Sequence, residues 1–333
     1  MARYQDFIPE NTAPVGTKQI GIYNQKGVRV GHISPGHLRK DKGNKRYSFG
    51  ALADVHMQYE TAPEDFRTAL TYLNKEADFV CVCGDLTTNG TANELSLYKQ
   101  YVDQYAKIPV YTIAGNHEGY NSDILSILEN YTGKPLYYSF LQGQDVFIML
   151  GVQQHAKGAL FAPGELQWLY ETLEENRNKR CFVFQHVYPK ESSLGLHFNS
   201  IWGGTEAAVF TSLMQHYPNV ILFHGHSHLR FDLQGKYGEK ANYDKDLGCH
   251  SVHISSISSP RDANSTDNGY VWVYGDSEGY LVDVYEQGIH LRGRDFIRGT
   301  FLPIASYWLD TPLKTVAPGT YADSTGTISV KSS

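Results

Sequence analysis

From residue 47 to residue 228 the sequence alternates between short apolar runs and longer amphipathic stretches. The apolar runs predict buried strands, and each one ends in polar residues: RYSFGALADVH, DFVCVCGD, IPVYTIAGNHE, CFVFQH and NVILFHGHSH. The stretches between them, such as TAPEDFRTALTYLNKE, place apolar residues at helical spacing, and Thr61 and Glu64 fit a capping box at the start of that helix. Strands that alternate with helices predict an α/β fold with helices on the faces of the sheet.

The segments outside this alternation predict additional strands. LYYSFLQG and DVFIMLGV read as a hairpin pair, and after Cys249 the runs SVHISSIS, YVWVYG, YLVDVYE and GIHLRGRDF complete or extend the sheets. We therefore divide the chain into three parts. Residues 1–46 form an N-terminal β-hairpin extension and linker, residues 47–310 form the α/β domain, and residues 311–333 form a polar tail rich in Ser, Thr and Gly.

Composition excludes several classes of protein. The formal charge of −6 argues against a non-specific nucleic-acid binder or an anionic-membrane binder, because both need an excess of Lys and Arg. The apolar runs are too short to span a bilayer, and the start, MARYQDFIPENTAP, lacks the apolar segment of a signal peptide. The four cysteines show neither zinc-type spacing nor a disulfide framework. We expect a soluble protein with no signal peptide.

Polar side chains that can bind metal ions follow five of the predicted strands: Asp54 and His56, Asp85, Asn116 and His117, His186, and His226 and His228. Open α/β sheets place their ligand sites at the carboxyl ends of the strands, so we expect these side chains to meet at one edge. Imidazole and carboxylate together suit Zn, Mn, Fe or Ni better than Ca or Mg. The set is too large for one tetrahedral ion and suffices for two ions, about 3.5–4 Å apart, that share a carboxylate.

The ordered blocks DVH, GD, GNHE, QH and GHSH resemble the calcineurin-like metallophosphoesterase superfamily. The style of GDLTTNG and GNHE is most similar to bacterial and phage members, including relatives of the cyclic-nucleotide phosphodiesterases. The resemblance implies a four-layer sandwich in which two packed mixed β-sheets are flanked by helices. It makes residues 47–310 the metallophosphoesterase catalytic domain.

The resemblance also implies a role for each site residue. One divalent transition-metal ion would be held by Asp54, His56 and His228, and a second by Asn116, His186 and His226, with Asp85 bridging the two. The identity of the ions stays open among Mn, Fe, Zn and Ni. His117 would not bind metal; the corresponding histidine of the family lies over the site and stabilises the transition state or protonates the leaving oxygen.

The sequence departs from two branches of the superfamily. Thr88 stands three residues after Asp85, where the purple acid phosphatases have a tyrosine ligand, so we expect no tyrosinate on the metal. The phosphoprotein phosphatases continue the GD block with an arginine and with a carboxylate that orients the catalytic histidine, and GDLTTNG has neither. A phosphoprotein substrate is therefore not expected, and the group that orients His117 is not identified.

Two classes of function remain open. The first is a dinuclear metal-dependent phosphoesterase, in which a hydroxide bridging the metals attacks a phosphodiester in line; a monoester substrate is less favoured. The alternative is a binding or structural protein of a particle or cell surface on the same fold, with or without phosphodiesterase activity on a wall polymer such as teichoic acid. The partner would then be a cell-surface polymer or a virion, and the location cytoplasmic or virion-associated. The oligomeric state is left open.

Four further residues near these blocks have less specific interpretations. We expect His224 to have a core role, or a role beside the site, rather than to bind metal. Tyr188 and Trp202 either line a substrate groove or pack in the core. His155 matches no block of the family, and we expect it to have no role in the site.

Overall fold

The structure is a computed structural model that describes residues 20–23, 29–33, 42–153, 160–189, 202–233, 242–245, 247–263, 270–272, 275–311, 321–323 and 326–328. His155 and most of the predicted linker, residues 34–41, lie outside the described residues. None of the helices in the described ranges is both long and apolar enough to cross a membrane.

The described chain contains five α-helices and eighteen strands. The helices are α1 (Ala62–Glu76), α2 (Ala92–Tyr105), α3 (Ser122–Thr132), α4 (Glu165–Glu175) and α5 (Gly204–His216). The strands up to the middle of the chain are β1 (Ile20–Tyr23), β2 (Arg29–Ile33), β3 (Lys45–Leu52), β4 (Phe79–Cys83), β5 (Val110–Ile113), β6 (Tyr137–Gln142), β7 (Asp145–Leu150) and β8 (Cys181–Gln185). The later strands are β9 (Val220–His224), β10 (Tyr243–Asp244), β11 (His250–His253), β12 (Arg261–Ala263), β13 (Tyr270–Trp272), β14 (Glu278–Tyr285), β15 (Gly288–Asp295), β16 (Thr300–Asp310), β17 (Tyr321–Asp323) and β18 (Gly326–Ile328).

Two six-stranded mixed sheets form the body of the protein. The first has the order β16-β15-β14-β3-β4-β5, and the second has the order β10-β11-β9-β8-β7-β6. In the first sheet β3, β4 and β5 are parallel, and in the second β7, β8, β9 and β11 are parallel. The remaining strands pair antiparallel, including the predicted β6–β7 hairpin. The predicted α/β architecture of two packed mixed sheets is therefore confirmed.

Apolar side chains fill three layers between the elements. The middle layer joins the inner faces of the two sheets; a second packs α1, α2 and α3 on the first sheet, and a third packs α4 and α5 on the second. In β8 the alternation is direct: Phe182 and Phe184 face the other sheet, while Cys181 and Val183 face the helices. The order of layers is helix, sheet, sheet, helix, as predicted.

Aromatic side chains dominate the layer between the sheets. Phe49 of β3 is fully buried, and its ring centroid lies 5.2 Å from that of Phe147 and 5.3 Å from that of Phe182, both edge to face. It also stacks on Phe79 of the neighbouring strand at 5.5 Å. Edge-to-face pairs at these distances add to the free energy of burial, and they fix how the two sheets face each other.

One prediction about local structure was wrong, and one strand was missed. Thr61 precedes α1, but its side chain makes no capping hydrogen bond to the backbone; the capping box occurs instead at the start of α2, between Thr91 and Glu94. The eleven-residue strand β16 was not predicted. Its Pro303 argues against a central strand, but β16 is the edge of its sheet, where a residue without an amide hydrogen is tolerated.

The two ends of the chain each contain an antiparallel pair of strands. β1 pairs with β2, in the region predicted as an N-terminal hairpin. β17 pairs with β18, within the segment that the sequence describes only as a polar tail. The tail therefore contains regular structure that its composition does not indicate.

We predict that Phe49→Ala destabilises the protein by about 3–5 kcal/mol, because the substitution leaves a cavity between the two sheets. The free energy of unfolding from urea denaturation measures the effect. Leu141→Ala is the control: Leu141 is 62% exposed, and its truncation should change that free energy by less than about 0.5 kcal/mol. Equal effects of the two substitutions would contradict the assigned core.

Candidate metal centre

The structure brings the predicted site residues to one edge of the two sheets. Each follows the carboxyl end of a parallel strand: Asp54 and His56 follow β3, Asp85 follows β4, Asn116 and His117 follow β5, His186 follows β8, and His226 and His228 follow β9. All are buried except His117 and His226, which are partly exposed. The edge-of-sheet placement expected from the sequence therefore holds for the whole set.

Four of these residues form a first group of donor atoms. One ligand atom from each of Asp54, His56, Asp85 and His228 lies within 4.8 Å of all the others. The Nε2 atom of His228 is 2.9 Å from Asp54 Oδ1 and 3.1 Å from His56 Nε2, and His56 Nε2 is 3.7 Å from Asp85 Oδ2. Atoms at these separations can share one cation.

A second group uses Asp85 again. One ligand atom from each of Asp85, His186 and His226 lies within 4.8 Å of the others, and His186 Nε2 is 3.0 Å from Asp85 Oδ2. Asp85 is thus the residue common to both groups. Asn116 is buried at the end of the adjacent strand, and its side-chain oxygen makes no hydrogen bond with the described residues.

Backbone strain is concentrated in this set. Within the described ranges, five residues other than glycine have a left-handed φ, and all five belong to the two groups: Asp54 (54°), His56 (45°), Asp85 (50°), His226 (74°) and His228 (59°). Such a conformation costs on the order of 1 kcal/mol or more for each residue with a side chain. Strain of this kind accumulates at functional sites, where the surroundings hold the backbone in place.

Hydrogen bonds between loops maintain these conformations. The amides of Val55 and His56 donate to the carbonyl of Asp85 at 2.8 and 3.0 Å, which ties the loop after β3 to the loop after β4. The amide of Gly225 donates to the carbonyl of His186 at 3.1 Å, and the amide of His226 donates to Asp54 Oδ2 at 3.1 Å. The second contact joins the two sheets directly at the site.

Two glycines of the predicted blocks allow the loops to approach this closely. A Cβ atom on Gly115, which precedes Asn116, would overlap the Asp85 side chain and amide nitrogen. A Cβ atom on Gly225 would stand 2.6 Å from Asp54 Oδ2 and 2.7 Å from the Ala53 Cβ. A side chain at Gly115 would therefore push its loop away from Asp85, and a side chain at Gly225 would push its loop away from Asp54.

The ring orientation of two histidines is set by hydrogen bonds on the side away from the site. The Nδ1 atom of His186 lies 2.6 Å from the carbonyl oxygen of Cys83, and that of His228 lies 3.2 Å from the carbonyl oxygen of Ser259 and 2.7 Å from its hydroxyl. Because a carbonyl can only accept, Nδ1 of His186 donates, and in both rings Nε2 faces the carboxylates. Histidines that bind metal ions characteristically show this arrangement.

The charges within the site are strongly coupled. Burial alone would raise the pKa of the Asp54 carboxyl, but the imidazoles of His228 and His186 hold it below its usual range. Burial, reinforced by His186, lowers the pKa of His226 to about 3. Burial opposes a charge on His186 as well, yet the carboxylates of Asp85 and Asp54 raise its pKa to about 9. The two carboxylates thus attract a cation, and a proton on His186 competes with a metal ion for that place.

The donor set fits divalent transition-metal ions. Asp54 Oδ1, Asn116 Oδ1 and His186 Nε2 are buried and make no hydrogen bond with the described residues. Buried polar atoms are costly unless they are paired, and Asp54 Oδ1 and His186 Nε2 lie 3.8 Å apart, so that one cation could contact both. A mixture of imidazole, carboxylate and amide donors is what Zn, Mn, Fe or Ni prefers.

His117 lies beside Asp85 without joining either group. Its amide donates to Asp85 Oδ1 at 2.9 Å, and its Nε2 is 3.8 Å from Asp85 Oδ2. Its Nδ1 lies 2.6 Å from the carbonyl oxygen of Thr88 and donates to it. The group that orients His117, which the sequence left unidentified, is therefore a backbone carbonyl and not a side chain.

Sequence reasoning missed several residues that support the site. The hydroxyls of Ser256 and Ser258 donate to the carbonyl of Asp54 at 3.0 and 3.1 Å, and Ser259 contacts His228 as described above. Glu118 is buried and accepts hydrogen bonds from the amides of Thr87 and Gly115 at 2.8 and 2.7 Å. The serines stand in SSISSP, which overlaps the end of the predicted strand SVHISSIS and has no feature that indicates a role in the site.

His224, Tyr188 and Trp202, whose roles the sequence did not determine, belong to neither donor group. His224 is buried, with Nε2 3.2 Å from the Ser251 hydroxyl, in agreement with the expected core role. Tyr188 is buried, and its ring packs near those of His224 and His226. Trp202 is fully buried and its ring packs edge to face on that of Phe161, in agreement with packing in the core.

Comparisons with known proteins agree with this geometry. A family model described as calcineurin-like phosphoesterase matches residues 47–230. A comparison with curated protein sequences finds no match. Among solved structures, the chain is similar to a purple acid phosphatase from seeds of yellow lupin (Lupinus luteus), with a TM-score of 0.58 and 14% identity over 82% of this chain. This chain spans about half of the lupin chain, 55% of its length.

A smaller structural similarity is found to Vacuolar Protein Sorting 29 from Cryptosporidium parvum. The TM-score is 0.40 and the identity 14%, over 80% of this chain and 100% of that one. Of these two, the lupin structure supports the fold, and at 14% identity it supports the fold alone.

We predict that divalent metal ions stabilise the protein through this site. An ion at 100 times its dissociation constant adds about 2.7 kcal/mol, which for a chain of this size corresponds to a rise in Tm of about 4 °C. Differential scanning fluorimetry with Zn²⁺ or Mn²⁺, against a chelator-treated sample, measures the rise. Asp85→Asn should remove most of it, whereas Asp103→Asn, on the exposed face of α2, should leave it unchanged. A rise that survives Asp85→Asn would place the ions elsewhere.

Proposed function

Because the chain belongs to the calcineurin-like phosphoesterase family, we propose that it is a metal-dependent phosphodiester hydrolase with a dinuclear metal centre. The observation that carries the proposal is the pair of donor groups that share Asp85. A single ion needs fewer donors than the site contains, and two ions that share one carboxylate use all of them.

We assign the donors as follows. Asp54, His56 and His228 would hold one ion, Asn116, His186 and His226 would hold the other, and Asp85 would contact both. When bound, the two ions would supply positive charge for the phosphoryl oxygens and lower the pKa of a water molecule. The Nδ1 hydrogen bonds of His186 and His228 keep their Nε2 atoms directed at the site before any ion arrives.

His117 is the residue proposed to move a proton. Its Nδ1 is held by the Thr88 carbonyl, so Nε2 is the nitrogen that faces substrate, 3.8 Å from Asp85 Oδ2. The ring is partly exposed, unlike most of the donor residues, and a substrate oxygen can reach it. In the proposed reaction the ring is an imidazolium, protonated on both nitrogens; Nδ1 keeps its proton on the Thr88 carbonyl, and Nε2 gives its proton to the departing oxygen as the phosphorus–oxygen bond breaks.

The preference for a diester rests on the charges around the site. None of the Lys or Arg side chains in the described ranges forms an ion pair with Asp54 or Asp85. A monoester dianion gains more from an added cation than a diester monoanion does, since it carries one more charge. We take the lack of such ion pairs in the described ranges as support for a diester substrate.

The direct test combines metal analysis with turnover of two esters. Protein purified without a His-tag or chelator should contain about two transition-metal ions per chain and should hydrolyse bis-p-nitrophenyl phosphate faster than p-nitrophenyl phosphate. Elemental mass spectrometry and absorbance assays on the same sample give both results. Faster monoester turnover would contradict the diester preference. Absence of metal, and of activity after addition of Mn²⁺, Zn²⁺ or Ni²⁺, would favour a binding protein on this fold.

We predict that His117→Ala lowers kcat for diphenyl phosphate by about 10²–10⁴-fold, the range usual for loss of a general acid. Bis-p-nitrophenyl phosphate should be affected much less, because p-nitrophenolate departs without a proton. The bound metal content should not change, since His117 belongs to neither donor group. Equal losses with both esters would show that His117 does not protonate the leaving oxygen.

A further inference from the structure

Glu94 accepts more hydrogen bonds than the start of a helix requires. Its carboxylate is buried and takes hydrogen bonds from the amides of Thr88 (2.7 Å), Asn89 (3.1 Å) and Thr91 (3.1 Å), and from the Thr91 hydroxyl (2.6 Å). A capping box at the start of α2 explains only the contacts with Thr91. The contacts with Thr88 and Asn89 reach outward, into the loop between Asp85 and the helix.

The amide of Asn89 and the carbonyl of Thr88 belong to the same peptide group. Glu94 Oε1 accepts from the nitrogen of this group at 3.1 Å, and His117 Nδ1 donates to its oxygen at 2.6 Å. A peptide group is planar and rigid, so fixing one end fixes the other. It is also polarisable, and a carboxylate at the N–H makes the carbonyl a stronger acceptor.

We propose that Glu94 is a positioning residue that orients His117 through the Thr88–Asn89 peptide group. The inference rests on the proposed function, in which His117 protonates the leaving oxygen. A buried carboxylate acts on the imidazole here through an intervening peptide, and no carboxylate side chain contacts His117 Nδ1 within the described residues. The sequence gives no sign of this connection, because the contacting atom is a backbone oxygen.

The loop and the ring are held on their other sides as well. The Thr87 hydroxyl accepts from the amide of Gly90 at 3.1 Å, and a Cβ atom on Gly90 would stand 2.7 Å from the His117 carbonyl oxygen. The His117 ring packs edge to face between the rings of His56 and Tyr120, each centroid at 4.7 Å. These contacts restrict where the ring can lie, and the Thr88 carbonyl decides which nitrogen faces the site.

Glu94→Gln tests the inference because the shape is kept while one acceptor oxygen becomes a donor. The amide NH₂ of glutamine would face either the amides of Thr88 and Asn89 or the donors of Thr91. In the metal-loaded protein we expect kcat for diphenyl phosphate to fall about 10- to 100-fold, the usual effect of losing a group that orients a site histidine. We expect little change with bis-p-nitrophenyl phosphate, and no further loss when Glu94→Gln is added to His117→Ala.

A second readout does not depend on activity. In the Zn²⁺-loaded protein labelled with ¹⁵N-histidine, the Nδ1 proton of His117 should be protected from exchange by its short hydrogen bond, and Glu94→Gln should increase its exchange rate. Thr91→Ala is the matched control, since it breaks the capping box while leaving Glu94 Oε1 with Thr88 and Asn89. It should lower Tm but change neither the ratio of the two esters nor the exchange rate.

The outcomes separate this inference from the proposed function. An active wild-type protein whose Glu94→Gln variant keeps the ester ratio and the exchange rate overturns the inference and leaves the function standing. A wild-type protein that hydrolyses neither ester overturns the function, and faster exchange in Glu94→Gln would still support the positioning of the ring. A Glu94→Gln effect that persists undiminished in the His117→Ala background shows that Glu94 acts by another route, and overturns the inference.

Discussion

The rest of the site depends on the contacts that the Asp85 carboxylate makes. It stands at the end of β4 in the first sheet, with Oδ2 3.0 Å from His186 Nε2 of the second sheet, and its Oδ1 accepts from the amide of His117. Its own carbonyl holds the loop of His56. Through its side chain and its backbone carbonyl, this one buried residue connects four of the loops that carry donor atoms. A residue with this many contacts can belong to two donor groups only because all the loops converge on it.

This convergence requires a backbone that the chain would not otherwise adopt. Five left-handed residues, together with glycines that could not carry a side chain, set the loops at the carboxyl ends of the strands. The strain is offset elsewhere, by cross-loop hydrogen bonds and by the aromatic layer that holds the two sheets face to face. The rigid sheets fix where each loop begins, and the loops then need only a few residues to reach the common centre. The geometry of the site therefore depends on the packing of the core.

The sequence predicts the fold and the gathering of the donor residues because both follow from repeating patterns of residue type. Strand ends meet at one edge of a sheet whatever the loops contain, so Asp54 could be placed with Asp85, and His186 with His228. The pairing of Asp54 with His228, which joins the two sheets, came from the resemblance to the family. The hydrogen-bond partners that orient these residues could not be predicted in the same way. The partner of His117 is a carbonyl, which every residue has, and the contact of Ser259 with His228 joins segments whose composition is unremarkable. The edge strand β16 was missed for a similar reason. Pro303 argues against a central strand, and the sequence does not show which strand is outermost in its sheet.

The measurement that tests this account most directly is an anomalous difference map from a crystal grown with Mn²⁺ or Zn²⁺. The account predicts two peaks about 3.5–4 Å apart, one on each side of the Asp85 carboxylate, the first near His56 and His228 and the second near His186 and His226. A single peak, or two peaks that do not both contact Asp85, would contradict the dinuclear centre from which the proposed chemistry follows.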